Sequence, residues 1–375
     1  GSSYDVVYPA DYSDDVLAEQ TYVENGFGRG LMKLSTKTAG TVEGRFEMSA
    51  DNALLGLQLT GNDELGKIVL SNPADGKTYT LNCTGVKLTS EAKVFYIVVP
   101  AGEWANGFNL SVYASDDTRI GLLSKGSSTT FAASGSMIMP VQEPKIGFSV
   151  SEGKQVIFSH GNLQYHPKND KWRFAENQYD RIGEDNKNIS ADYDGWIDLF
   201  GWSGSDGSAK FGVSSSTAHA DYSGSFVDWG KNQIGSDAPD TWRTLTYNEW
   251  EYLMSGRPNA VNLQSDAKVN DIEGWIWLPD NWTWPIWVSL KSDGSCLIFT
   301  ADEWSRLEKE GAVFLPAAGF RRYGTIVVNV ETHAIYWSAT GYDDIHAIYI
   351  RMYQMSEIIC YYRHYGQSVR LVKDL

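Results

Sequence analysis

The sequence predicts two domains of different class: an all-β, antiparallel sandwich over residues 1–142, then an α+β domain over residues 146–375. Three observations carry this. At 375 residues the chain is too long for one typical core and suits two of ordinary size. Residues 44–140 break into short alternating apolar runs with turns roughly every ten residues, the pattern of half-buried strands. Beyond Pro140 and Pro144 the composition changes, tryptophan and glycine become dense, and two amphipathic helices stand out.

In chain order, residues 4–40 hold acidic side chains such as Asp11, Asp14, Asp15 and Glu19 without a sustained period, so this segment is expected to run extended. Strands are expected at 45–48, 55–59, 68–70, 78–81, 94–99 and 108–113, with no helix among them. The segment 139–144, with its two prolines, reads as a linker. In the second half, helices are predicted over 246–254 and 300–308. In each, a threonine (Thr246, Thr300) precedes a glutamate (Glu249, Glu303) by three residues, the spacing of a capping box. Trp250 with Leu253, and Trp304 with Leu307, then share one helical face, which should pack on a sheet. Strands are expected at 154–159, 311–315, 325–330, 347–350 and 368–372.

Charge narrows the partners. The net charge is -16, with 16 acidic and 10 basic residues up to Gln142, a net -6 that leaves -10 for the rest. Neither half carries a basic stripe, so nucleic acid is not expected as a partner and anionic membrane surfaces are disfavoured. The longest apolar runs, such as residues 94–99, fall far short of a spanning helix, so no direct membrane insertion is expected. A chain opening Gly1-Ser2-Ser3 reads as a processed or trimmed product, from which a secretion signal or lipid anchor would already be missing. Cys83, Cys296 and Cys360 match no metal spacing; they are either buried free thiols or include one Cys296–Cys360 bridge.

A set of ordered motifs adds to this reading. The run from Val156 to Tyr165, Trp172-Arg173-Phe174, Gly195-Trp196 through Gly201-Trp202, Trp242-Arg243-Thr244-Leu245, Leu278-Pro279-Asp280-Asn281-Trp282, Phe314-Leu315-Pro316-Ala317, Tyr336-Trp337-Ser338 and Gly366-Gln367-Ser368-Val369-Arg370 occur in sequence. Together they resemble the major-paralogous-type domain of Fibrobacter and Bacteroides surface proteins. The resemblance implies a C-type-lectin-like fold over residues 146–375, whose first and last strands pair and whose Trp337 and Ser338 lie on a central strand. Residues 1–142 more loosely resemble fimbrillin-type pilins of Bacteroidales, through Phe95-Tyr96-Ile97-Val98-Val99-Pro100-Ala101-Gly102 and Gly107-Phe108. That implies an extracellular cell-surface or pilus location in a Gram-negative bacterium, and other pilin subunits as partners by donor-strand addition. In such pilins a protease removes an N-terminal strand after a basic residue; here Arg29 is either that processing site or an ordinary loop arginine.

Motifs for chemistry are missing. No GxSxG or GxxxxGK[ST] string occurs, and the six histidines include no HExxH pair. Asp192-Tyr193-Asp194-Gly195 departs from the EF-hand pattern at Trp196, Ile197 and Ser203, and the Glu-Pro-Asn and Trp-Asn-Asp signatures of calcium lectins are absent. Formylglycine-generating enzymes share the lectin-like fold but need a close cysteine pair near the C-terminus, where Cys360 stands alone. A polysaccharide-cleaving enzyme would need a pair of carboxylates, which no motif supports. The chain is therefore read as non-enzymatic, without cofactor or metal, and as a surface adhesin binding a glycan or a protein, or alternatively as a structural capping subunit with no soluble ligand. The binding candidates lie between residues 280 and 365. Trp284 and Trp287 form either a sugar-stacking platform or packing under a loop, within a segment holding Trp275, Trp277 and Trp282 as well. The run 353–365, near the closing strand and holding Tyr361, Tyr362 and Arg363, is the second candidate surface, and Tyr323 and Tyr342 are further ligand-binding candidates.

Overall fold

The computed structural model describes residues 3–8, 16–28, 34–39, 49–125, 127–142, 144, 146–280, 282, 284, 285, 288, 296–353 and 355–375. The protein is β-rich, with 45% of it in strands and 13% in helices, and it folds as two compact units, Gly1–Ile146 and Gly147–Leu375.

In the first unit, the strands Arg119–Lys125, Phe108–Ala114, Glu64–Ser71, Thr78–Lys87 and Glu19–Thr21 form one sheet in that order, and Ser136–Gln142, Asn52–Leu59 and Lys93–Pro100 form another. Every second residue of these strands points inward: Leu55, Leu57 and Leu59 from one sheet and Ile68, Leu70, Leu110 and Val112 from the other enter one apolar core. The expected strands at 55–59, 68–70, 78–81, 94–99 and 108–113 all form; the one at 45–48 lies outside the described residues. Gln20 ties the sheets together. Its side chain donates to the Val98 carbonyl at 2.8 Å and accepts from the Val98 N–H at 2.9 Å, imitating a backbone ladder where the strand Lys93–Pro100 has no further neighbour among the described residues.

Three expectations need correction. The segment 139–144 is not simply a linker, because Ser136–Gln142 pairs as a strand with Asn52–Leu59. Its register breaks between Ile138 and Val141, which leaves Pro140 outside the ladder that it cannot donate to. That pairing is parallel, as is Glu19–Thr21 with Thr78–Lys87, so the sheets are mixed rather than purely antiparallel. Within 4–40, Ser3–Tyr8 and Leu34–Ala39 are paired antiparallel strands rather than a lone extended run.

The second unit closes on itself. Lys154–Phe158 lies between Phe148–Ser151 and Leu371–Asp374, so strands from the two ends of the unit are neighbours, in the register Val156↔Asp374. The strand Ala334–Gly341 pairs with His346–Tyr353 on one side and bridges Ser368 through Tyr336 on the other, which buries Trp337 and Ser338. Ser368 contributes only this bridge; the closing ladder itself begins at Leu371. Both capping boxes form, at Thr246 with Glu249 and Thr300 with Glu303, and Trp250, Leu253, Trp304 and Leu307 are buried as their spacing requires. The first α-helix is short, Tyr247–Glu251, and continues as a wider turn over Tyr252–Gly256.

Residues of the ordered motifs serve the frame. Asn162 donates to the Tyr336 hydroxyl at 3.0 Å and accepts from the Arg370 guanidinium at 3.3 Å, and Arg370 also reaches the His160 carbonyl. Asn162, Tyr336 and Arg370 are remote from one another in sequence and buried, so an ordered motif set of this kind specifies one packing. Cys83, Cys296 and Cys360 are free thiols, and the Cys296–Cys360 bridge is not formed.

Candidate ligand-binding surface

The surface is built at the end of a three-stranded meander, Ala334–Gly341, His346–Tyr353 and Met355–Tyr362, all antiparallel. The turn between the first two strands is held by Asp343. Its carboxylate accepts from the backbone N–H groups of Ile345 and His346 at 2.9 and 2.7 Å and contacts the His346 imidazole at 2.8 Å. The His346 side chain, followed by the Ile345 N–H, holds that carboxyl down at about 2. With the turn fixed, the Tyr342 N–H bonds the His346 carbonyl at 3.0 Å while the Tyr342 side chain stays 65% exposed.

Arg363 is the hub beneath. It is buried, and its guanidinium donates to the carbonyls of Asp343 at 2.6 Å, His346 at 3.2 Å, Tyr222 at 3.3 Å and Gly224 at 3.0 Å, while lying 4.2 Å from the centre of the Trp202 ring. One planar cation thus joins loops some 140 residues apart in the chain (separations of 139 and 141). Arg321 plays a similar part under the neighbouring hairpin, Phe320–Arg322 with Ile326–Val328: fully buried, it donates to Gly324 at 2.5 Å, and burial lowers it to about 10.

Over this frame lies a connected set of rings. Tyr362 has His346 at 4.7 Å, His219 at 5.2 Å, His364 at 5.3 Å and Tyr361 at 5.4 Å between ring centres. Tyr365, buried, continues the set to Tyr361 at 4.7 Å and Tyr323 at 6.2 Å. Burial pushes the Tyr365 phenol up, and Tyr361 and Tyr323 push the same way. His364 is buried, its Nδ1 has no partner, and burial, His219 and Arg321 lower it to about 4, so it is neutral at physiological pH.

Tyr323 is the most informative member. It sits at the tip of its hairpin at φ +48°, a left-handed conformation unfavourable to a bulky side chain, yet is 61% exposed. Only part of the ring is covered, edge-on against Tyr365 at 6.2 Å and under the Arg322 guanidinium at 5.5 Å. Gly324 follows at φ +82°, where a Cβ would stand 2.5 Å from the Ser215 carbonyl, so the turn has little room to relax.

The structure therefore brings Tyr323, Tyr342, Tyr361 and Tyr362 into one region through His346 and Tyr365, with Tyr361 41% exposed and Tyr362 partly buried. Trp284 is elsewhere: half-buried, it stacks on Phe299 at 6.2 Å, meets Trp282 edge-on at 5.5 Å and belongs to a separate apolar cluster. Packing accounts for the part of it that is covered. Trp287 and Arg29 lie outside the described residues. Sequence reasoning placed Arg363 and His364 inside the candidate run 353–365 and missed His219, whose ring neighbours Tyr362 and His364 are remote in the chain. Among the described residues no three His, Cys, Asp or Glu side chains are grouped to hold a metal ion, and no helix is long and apolar enough to cross a membrane. No family model matches the chain, and no curated protein matches it either.

Proposed function

We propose that this protein is a non-enzymatic surface adhesin, a pilus tip or accessory subunit, whose second unit is a C-type-lectin-like domain that binds a glycan or protein ligand through the tyrosine surface. The observation that carries the reading is Tyr323, a ring held mostly exposed at a left-handed backbone position on a tight hairpin: strain retained at an exposed side chain marks one kept for contact. Tyr342 and Tyr361 add two more exposed rings with hydroxyl tips, Tyr342 beside the Asp343 carbonyl that buried Arg363 holds and Tyr361 packed on buried Tyr365, so their backbone positions are fixed before a ligand arrives. Neighbouring terminal strands and a central strand bearing Trp337 and Ser338 support the lectin-like reading of the frame.

The first unit, on this reading, is a fimbrillin-like sandwich that joins other pilin subunits by strand addition outside a Gram-negative cell. Gln20 supports it: cleavage after Arg29 would remove both the strand Glu19–Thr21 and the Gln20 side chain that occupies the backbone groups of Val98, leaving an edge for an incoming strand. The test of binding is a glycan and surface-protein array probed with the whole chain and with the Tyr323→Ala, Tyr342→Ala, Tyr361→Ala triple variant. Loss of signal by tenfold or more in the variant, roughly 1.4 kcal/mol or above, is expected; arrays blank for every ligand, or a variant equal to the parent, would overturn the reading.

A further inference from the structure

The chain holds 21 tyrosines, and every tyrosine-to-tyrosine ring contact among the described residues falls in one set, Tyr323, Tyr361, Tyr362 and Tyr365. The closest pair is Tyr361 and Tyr365, with ring centres 4.7 Å apart and planes at 45°. Tyr362 and Tyr323 lie farther from Tyr365, at 5.9 and 6.2 Å. Backbone bonds hold the closest pair in place. Tyr361 is paired with Ala347 on the neighbouring strand, the Arg363 N–H donates to the Ile345 carbonyl at 2.9 Å, and the Tyr365 N–H donates to the Tyr362 carbonyl at 3.0 Å. Neither ring has to search for the other.

The two rings differ in access. Tyr361 is 41% exposed and Tyr365 only 4%, so an oxidant in solution reaches the first directly and the second only through it. Their hydroxyl ends also converge: after burial, the Tyr361 phenol, followed by that of Tyr323, raises the Tyr365 hydroxyl. Oxidised phenols couple through the ring carbons beside the oxygen, and convergence of the hydroxyl ends brings those carbons together. A tryptophan in contact would drain a tyrosyl radical first, but the ring neighbours of Tyr361 and Tyr365 among the described residues are tyrosines, His364 and Phe320. Cys360, the adjacent free thiol, points to the opposite face of its strand by the alternation of side chains.

We infer that Tyr361 and Tyr365 form an oxidative cross-linking site, joined as a dityrosine when the protein meets a one-electron oxidant such as a haem peroxidase acting with hydrogen peroxide. Each phenol gives up one electron and its hydroxyl proton, the radical formed on Tyr361 passing to Tyr365 before Tyr361 is oxidised again. The two radicals combine at ring carbons next to the oxygens, and the hydrogens displaced from those carbons return to the oxygens. Both hydroxyls survive; the pair has lost two hydrogen atoms, which convert one peroxide into two waters. Within one molecule the partners are already in contact, whereas two chains of net charge -16 repel, so coupling stays within the chain. The bond closes the turn that carries Arg363 covalently and fixes Tyr361 against Tyr365. It needs only the ring geometry and forms whether or not the tyrosine surface binds a ligand.

The test is oxidation of the whole chain by photo-excited tris-bipyridyl ruthenium with persulfate, followed by tryptic digestion of the monomeric fraction and mass spectrometry. Trypsin cuts after Arg363, between the two tyrosines, so the bond appears as peptides 352–363 and 364–370 joined with the loss of two hydrogen atoms. Fragmentation should place it between Tyr361 and Tyr365. Tyr361→Phe and Tyr365→Phe, which keep the rings and remove the reacting hydroxyls, should each lower this species at least about tenfold, while Tyr362→Phe should leave it within about twofold. In urea the yield should fall severalfold, because the fold makes the contact. Absence of the joined peptides, an unchanged yield in Tyr361→Phe, an equal yield in urea, or coupling chiefly between chains would each overturn the assignment.

Discussion

Two stretches of the second unit are similarly rich in aromatic residues and end in opposite places. Among residues 275–287, Trp275, Trp277 and Trp282 are 6%, 0% and 9% exposed, and Trp284 is half-buried. Among the tyrosines, Tyr323, Tyr342 and Tyr361 are 61%, 65% and 41% exposed. Composition does not separate them. An indole carries more apolar area and only one donor, so strand pairing turns it inward; a phenol can leave its polar tip in water. The backbone does the rest. Trp275 and Trp277 lie on ladders with a covered face, whereas Tyr323 and Tyr342 sit at the ends of hairpins, where the sheet stops covering them.

The comparison can be broken by substitution. Trp277→Ala should cost the most, about 3–5 kcal/mol, measured by denaturant unfolding of the second unit within the whole chain, because it empties a fully buried site. Tyr361→Ala, of comparable aromatic character, should change stability by less than about 0.5 kcal/mol. If the two variants lose stability equally, the division into buried indoles and displayed phenols fails.

Glu249→Ala should follow, at about 2–3 kcal/mol. This buried carboxylate closes a capping box, receives Arg243 through two bonds of 2.8 Å and takes Lys154 at 3.0 Å. Despite its burial, which acts the other way, hydrogen bonds from Arg243, Thr246 and Lys154 lower it from 4.5 to about 2. Its folded value lies below the unfolded one, so its contribution is present above about pH 4.5 and is lost as pH falls toward 2. A melting-temperature profile of the variant should therefore converge on the parent at low pH.

His364 adds a further acid-side effect in the tyrosine region. Its folded value, about 4, is below its ordinary 6.5, so stability should fall as pH drops from 6.5 through 4, where the unfolded chain takes the proton more readily. His364→Gln should flatten that part of the profile; an unchanged slope would show that His364 takes its proton as readily in the folded chain as in the unfolded one. A change at Tyr323 sharpens the contrast most. Tyr323→Gly should stabilise the protein by up to about 1 kcal/mol by relieving the left-handed strain at φ +48°, while reducing ligand binding. A destabilised Tyr323→Gly would mean that the ring contributes packing after all.

The local devices were legible in the sequence. Both helix starts followed from threonine and glutamate three apart, and five strands of the first unit followed from alternation, since capping and pleating act between near neighbours. The hairpin Gln264–Trp277 was not recognised as strands: its tryptophans read as display, although Asn270-Asp271 offered a turn signal. The linker reading failed at Ser136–Gln142 because a parallel pairing with Asn52–Leu59 leaves no local trace.

Local pattern and composition were enough for the β-rich class, the helix caps, the absence of familiar catalytic strings and a region, 280–365, in which exposed aromatics would be found. Only the tertiary structure decided which rings face water, that Arg363 joins loops 139 and 141 residues away, and that His219 and His364 meet Tyr362. The reason is one of range. Caps, turns and periodicity are written within a few residues, whereas burial and the partners of an arginine or an indole are set by register and by loops brought together across the chain, which no window of sequence contains.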